Sequence, residues 1–561
     1  MSDVLALPRR RDWFPYLVAF ITIVVLGLFL VAPLVQTVIS AFLPRNAPLA
    51  LGNLTLENFR RFIEAANYRS AFVNSLLVSV LSTVIATALA LPAAYAVARI
   101  KMRFTGVILA LWVIPIVSPP FIGAYSWIVL LGRNGIISHY LNDWFGMTMP
   151  SIYGLFGVVL ALSVNLVPYV FLIVQGALSA GDSNIEESAR IMGASRWRML
   201  RTVTFPLVTP AIGAAAVIVF IKALGNFGVP AILGGEMYVL PTLIYFQVHG
   251  FFNLNGAAAI ALVNVLLTLF AIVALAYVNR RRRFVTIGGT ARRLPRLASP
   301  GARIFANVYV WALLAVTVIP EAMVVWYSFA ERWAGTVFPT VYGFNNYVRA
   351  ASSMYQAVEN SFLLAGLATA MAVVFGALLA YTSARGRFVG KWALDLTVML
   401  PFVLPGVVTG VAFLATFNDD PLFLTGSGAI LVLAYFTRRI AYVFRASSSS
   451  IAQIDPKIEE ASTVCGATWG TTLRRVTVPL MAPGIAAGAI IVFATLVTEM
   501  SVTVLLYSAR WKTLAIAIFE RLLGDEMPLA AALGSVAIAL TLALVYGASR
   551  LVGRSMADMF K

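Results

Sequence analysis

The chain has 561 residues, 60% of them hydrophobic and only 11% charged, with a mean hydropathy of +0.89. Soluble proteins carry about 25% charged residues, so a water-soluble globule is excluded, and no stretch is long and polar enough to form a separate soluble catalytic domain. The net charge of +18 would suggest nucleic acid in a soluble protein. In a membrane chain the same excess is a topology signal, because Lys and Arg collect in cytoplasmic loops.

Arg9, Arg10 and Arg11 precede an apolar run from Trp13 to Phe42. That run far exceeds the roughly 7–15 residues of a signal-peptide core, so it reads as a retained first span. Further spans are expected at 71–98, 105–131, 152–178, 207–233 and 256–278. A second set follows at 304–329, 360–384, 391–417, 428–447, 480–508 and 529–550, which makes about 12 transmembrane helices, each near the roughly 20 residues a bilayer requires. Proline and glycine interrupt the third span between Pro115 and Gly123.

With the N-terminus inside, most of the 41 Lys and Arg fall on the cytoplasmic side. Both termini are then cytoplasmic. Lys222, Arg438 and Arg439 remain within spans. Residues 279–303 hold eight arginines and no acid, broken by Gly288, Gly289, Pro295 and Pro300. They read as a basic cytoplasmic linker between a first unit, 1–278, and a second, 304–561.

The two units repeat one another. Residues 74–99, "NSLLVSVLSTVIATALALPAAYAVAR", match 360–385, "NSFLLAGLATAMAVVFGALLAYTSAR". Pro115 and Pro119 match Pro401 and Pro405. Six spans in each unit with the same orientation make a parallel repeat, related by an axis along the membrane normal. A change of offset places 13 extra residues in the first unit, between about 131 and 167.

The most telling repeat is polar. "EESARIMGASRWRMLRTVTFPL" at 186–207 returns as "EEASTVCGATWGTTLRRVTVPL" at 459–480, with ten of 22 positions identical and no gap. Each copy reads as a short cytoplasmic helix, a glycine break and a second helix running into the next span. Asp455-Pro456 suits a helix start, and Ser183 with Glu186 has capping-box spacing. Ile185, Ala189 and Met192 share one helical face, as do Ile458, Ser462 and Cys465, and that face is expected to be free to dock. Gly193 and Gly466 permit a sharp turn. The plain alternative is an interfacial helix lying on the membrane.

This paired pattern, Glu187-Ser188-Ala189 to Gly193 and Glu460-Ala461-Ser462 to Gly466, resembles the signature loop of permeases from binding-protein-dependent ABC importers. The resemblance spans nearly the whole chain and is closest to fused permeases, in which both transmembrane halves are one polypeptide. It implies an all-α polytopic membrane protein of the type I importer permease fold, placed in a bacterial inner membrane. It implies two cytoplasmic ATP-binding cassette subunits, an extracytoplasmic substrate-binding protein, and no role for nucleic acid. Glu186, Glu187, Ala189 and Gly193, with Glu459, Glu460, Ser462 and Gly466, are then the coupling residues. For Glu187 and Glu460, favourable interaction with the helix N-terminal dipole is an alternative reading.

The chain has no G-x-x-x-x-G-K-[ST] loop, so ATP and Mg are expected in the partner, and no cofactor is expected here. One cysteine, Cys465, excludes an internal disulfide and reads as a small apolar contact. His139 and His249 give no metal-ligand spacing.

Charges within spans mark functional candidates. Lys222, Asn226 and Glu499 are expected either to line the path or to pair Lys222 with Glu499 across the halves. Arg438 and Arg439 either face an anion path or bond structural partners. "FGVPAILGG" at 227–235 is similar to ferric iron permeases, which ranks ferric iron first. Aminoethylphosphonate, thiamine, polyamine and sulfate permeases also share the loop. An ion-coupled secondary transporter would use parallel repeats too, but has no need of two matched docking loops. An intramembrane enzyme would need a catalytic cluster that the spans do not offer.

Overall fold

A computed structural model of the chain describes residues 14–552 apart from 46, 48–49, 181–182, 281–298, 334–336, 387–390 and 525. The basic triplet at 9–11 and most of the expected linker lie outside the described residues. Hydrocarbon offers the backbone no hydrogen-bond partner, so spanning segments close their bonds internally as helices. Nine helices among the described residues are long and apolar enough to cross a membrane, or eleven if each of two bent pairs counts as one span.

The first half runs α1 (Phe20–Ala41), α2 (Ala66–Arg99), the bent pair α3 (Thr105–Val117) and α4 (Pro120–Leu131), then α5 (Leu155–Ala180). It continues through the short α6 (Ser183–Ile191), α7 (Phe205–Leu224), the short α8 (Leu240–His249) and α9 (Leu254–Arg280). The second half repeats this order as α10 (Pro300–Ser328), α11 (Tyr355–Arg385), the bent pair α12 (Lys391–Val403) and α13 (Gly406–Phe417), and α14 (Gly428–Ile451). Then come α15 (Pro456–Val464), α16 (Val478–Val497), α17 (Leu514–Leu523) and α18 (Met527–Val552). The extra residues of the first half form a helix, Ile136–Phe145, between α4 and α5.

Helix α14 fills the place of the expected tenth span, yet composition alone does not mark it as one. It carries Arg438, Arg439 and Arg445, which a lipid-facing helix would not tolerate. Its neighbours shelter it. A Cβ on Gly376 of α11 would lie 3.0 Å from Val443 Cβ, and one on Gly488 of α16 would lie 2.8 Å from Val443 Cα. On Gly484 it would meet Ala446 O at 2.7 Å. Small residues thus bring α11 and α16 against the α14 backbone, as membrane helices pack where the hydrophobic effect between them is absent.

Proline sets the irregularities. The two pairs bend by 98° and 111°, and each break falls at an X-Pro step, Ser118-Pro119 and Leu404-Pro405, with extended backbone at Ser118 (ψ 140°) and at Pro405 (ψ 147°). Three π-helical segments, Gly27–Val31, Leu200–Thr204 and Leu473–Thr477, each end two residues before a proline: Pro33, Pro206 and Pro479. The missing proline N–H and the clash of its ring with the carbonyl four residues back are absorbed by one widened turn.

The halves are tied alike at the ends of their spans away from the polar repeats. The "NS" that opens the first matched stretch fixes a short helix in both copies. Asn74 donates to Tyr238 O at 3.0 Å and Ser75 accepts from Leu240 N at 2.7 Å. Asn360 donates to Arg510 O and Lys512 O at 2.9 Å, and Ser361 accepts from Leu514 N at 2.7 Å. The first span of each half crosses to the other. Phe29 of α1 packs against Phe417 of α13, with ring centroids 5.8 Å apart. Tyr309 of α10 donates to Leu89 O of α2 at 2.8 Å, and Ser126 of α4 donates to Pro320 O of α10 at 2.6 Å.

Candidate functional site: two elbows and a junction between the halves

Each polar repeat folds into the same elbow. Helix α15 starts on Asp455, whose carboxylate accepts from Lys457 N at 3.0 Å, with Pro456 in the first turn. Both short helices end on a left-handed glycine, with φ +80° at Gly193 and +86° at Gly466. Ala194 N reaches Ala189 O at 3.0 Å and Gly193 N reaches Arg190 O at 2.9 Å, while Ala467 and Gly466 repeat this with Ser462 O and Thr463 O. That pairing satisfies carbonyls that a helix end leaves open. A Cβ at either glycine would meet no atom within 4 Å, so the backbone conformation, not crowding, requires glycine there.

The first glutamate of each repeat anchors its elbow. Glu186, 1% exposed, is 3.1 Å from Arg99 at the end of α2 and accepts from Thr204 Oγ1 at 3.1 Å. Glu459 is 3.3 Å from Arg385 at the end of α11 and accepts from Thr477 Oγ1 at 3.1 Å. Arg385 also donates to Ile454 O at 3.0 Å. Thr204 and Thr477 close the two π-helical segments, so the widened turn sets the hydroxyl that meets the carboxylate.

These contacts correct part of the docking face. Glu186 and Glu459 turn inward to arginine. Ala189, which shares the inner face of α6 with Glu186, is buried, and Ser462 is hydrogen-bonded to Thr472 at 2.9 Å. Met192 and Cys465 of the expected face are open, Met192 at 81%, and Ile191 at 81% and Val464 at 87%, one step round each helix, join them. Cys465 is therefore exposed rather than packed. Glu187 and Glu460 are exposed as well, as are Ile185 and Ile458.

The second feature lies where the halves meet. A Cβ on Gly225, at the end of α7, would be 3.2 Å from Pro405 Cβ; one on Gly228 would be 3.3 Å from Met500 Sδ. Glu499, just past α16, pairs with Arg438 Nη1 at 2.7 Å and Arg439 Nη2 at 2.5 Å. It does not pair with Lys222, whose Nζ instead sits 4.5 Å over the Tyr169 ring. The repeat offset makes Asn226 and Glu499 equivalent, and both cap the turn that follows. Asn226 accepts from Val229 N at 2.9 Å, and Glu499 accepts from Ser501 N at 3.1 Å. Offset alignment reveals equivalence, but not that α14 brings two arginines between Glu499 and Lys222.

Arg99, Arg385, Thr204, Thr477, Tyr169 and Tyr442 were missed by sequence reasoning. The signal was present, because each pair stands at matching positions of the two repeats.

The model of the binding-protein-dependent transport system inner membrane component family matches residues 82–284 and again 372–558. The ferric transport system permease protein FbpB of Actinobacillus pleuropneumoniae is 30% identical over 86% of this chain and 71% of its own length. A putative ferric transport system permease protein FbpB 1 of Haemophilus influenzae is 30% identical over 78% of this chain and 70% of its own. The putative 2-aminoethylphosphonate transport system permease protein PhnV of Salmonella typhi is 29% identical, covering 46% of this chain and 98% of itself. With one family match in each half and elbows of the same construction, this chain belongs to the inner membrane components of binding-protein-dependent transport systems.

Proposed function

We propose that this chain supplies both transmembrane halves of an importer whose ATPase is a separate subunit, bound in two copies, one per elbow. The observation that carries the reading is the pair of elbows. Each presents an exposed acid, Glu187 or Glu460, beside exposed apolar residues at Ile191 and Met192 or Val464 and Cys465. Apolar side chains held in water on a rigid, anchored helix fit a docking groove. A two-fold ATPase dimer that closes on ATP would draw both elbows together. Arg99–Glu186 and Arg385–Glu459 would carry that movement into α2 and α11. A ligand selects between two states only through unequal affinity for them, which is what closing the ATPase would provide. The basic excess supports a cytoplasmic position for both elbows and both termini. An extracytoplasmic binding protein delivers the cargo.

Ferric iron is the first cargo. The two ferric permeases match across both halves, whereas the aminoethylphosphonate permease matches a single half. That half-length similarity keeps aminoethylphosphonate as the second reading.

The test is co-purification followed by uptake. Ile191→Asp with Val464→Asp should release the ATPase while leaving the permease folded, since neither side chain is packed. Retention of the ATPase by that variant would place docking elsewhere. Cells lacking the gene should lose uptake of labelled ferric iron; loss of aminoethylphosphonate uptake instead would replace the cargo and keep the importer.

A further inference from the structure

The junction between the halves has an unbalanced charge. Lys222, Arg438 and Arg439 converge there, and among the described residues Glu499 is the carboxylate in ion-pair contact with the two arginines, while Lys222 lies over the Tyr169 ring. Lys222 belongs to the first half, yet it lies close enough to Arg439 and Tyr442 of the second to interact with both electrostatically. Three cations against one anion, out of water, repel one another and any further cation.

Two more features increase the positive potential. A Cβ on Gly406, the first residue of α13, would fall 2.6 Å from Arg438 Nη1, so the positive end of that helix abuts the cluster. Arg439 Nε is buried and has no hydrogen-bond partner among the described residues. A guanidinium with a spare donor can take another oxygen in a charge-assisted bond. The cluster also sits where the chain breaks its helices, at Pro405 and just past α7 and α16, and in transporters irregular backbone of this kind surrounds a substrate site.

We propose that Lys222, Arg438 and Arg439 form an anion station that receives an oxyanion of the phosphate or carboxylate class. This deepens the iron reading and rests on it in one respect: a ferric cargo would pass as a complex with such an oxyanion, not as the bare trivalent cation. Glu499 holds the two arginines apart and oriented. Lys222 completes the station from the opposite half, so its occupancy reports on whether the halves are together.

The test uses the whole importer, with its ATPase and binding protein, in proteoliposomes. The binding protein is loaded with labelled ferric iron and labelled phosphate, and in a parallel arm with labelled ferric iron and labelled citrate. Iron and one of the oxyanions should be taken up together in fixed ratio. Lys222→Gln should lower that uptake about tenfold, the range over which a charged site concentrates its ligand, Lys222→Glu should lower it further, and Lys222→Arg should restore it. Lys222 is chosen because it stands outside the Glu499 ion pairs, and ATPase co-purification checks that each variant is assembled. Iron uptake unchanged or raised in Lys222→Gln, or iron taken up with neither oxyanion, would overturn the station and leave the iron reading standing. Oxyanion uptake without iron would support the station and remove iron as the cargo.

Discussion

At the elbows, Arg99, Glu186, Gly193 and Thr204 of the first half correspond to Arg385, Glu459, Gly466 and Thr477 of the second, bond for bond. At the junction between the halves the same two repeats diverge. Where the first half has Asn165, Leu166 and Asn226, the second has Arg438, Arg439 and Glu499; where the second has Thr495, the first has Lys222. Tyr169 and Tyr442 are the shared remnant. The difference separates two demands. On the proposed function, a two-fold ATPase would require equal handles, and the elbows are equal; a cargo passing at the junction would touch both halves at once and gain nothing from two identical walls.

The largest expected effect breaks the junction. Glu499→Ala leaves two sheltered arginines facing each other, and loss of one partner from a buried ionic group costs about 3–5 kcal/mol. Its equivalent, Asn226→Ala, removes only a cap, at about 1 kcal/mol. Thermal unfolding of the purified permease in detergent should show the first shift well beyond the second. Equal shifts would mean that the junction is as symmetric as the elbows.

A smaller effect sharpens the elbow comparison. Glu186 is 1% exposed and Glu459 is 15%, with Arg99 and Arg385 at 11% and 19%. Glu186→Gln should therefore cost about 3 kcal/mol and Glu459→Gln about 1, since water screens the second pair more. Both should weaken uptake more than basal ATPase activity. A reversed order would show that burial does not rank the two anchors.

The smallest effect tests equality itself. Gly193→Ala and Gly466→Ala each force a Cβ into left-handed backbone, worth about 1 kcal/mol apiece, with no steric addition. Unfolding midpoints should fall by the same amount in each, and additively in the double variant.

Much of this was legible in the sequence because lipid leaves little choice. Apolar runs and a repeated polar sentence state the helices and the elbows. What escaped was direction. Spacing put Ala189 and Ser462 on a common face without saying which way it turned, and that was decided by arginines far along the chain, 87 residues from Glu186 in the first half. In the same way Lys222 and Glu499 were recognised as sites, but α14 supplies the partners of Glu499. Its span was expected at 428–447, but spacing and composition did not show that neighbouring helices shelter its three arginines.

The exchanged first spans carry one further consequence. Helix α1 has its seat on α13, and α10 has its seat on α2 and α4. Cut anywhere within 281–298, the chain would yield two fragments, each owning a helix whose resting place belongs to the other. Like two people gripping each other's wrists, they would hold without a rope between them. The covalent join then supplies equal numbers and a shared birth, and the clasp supplies the hold.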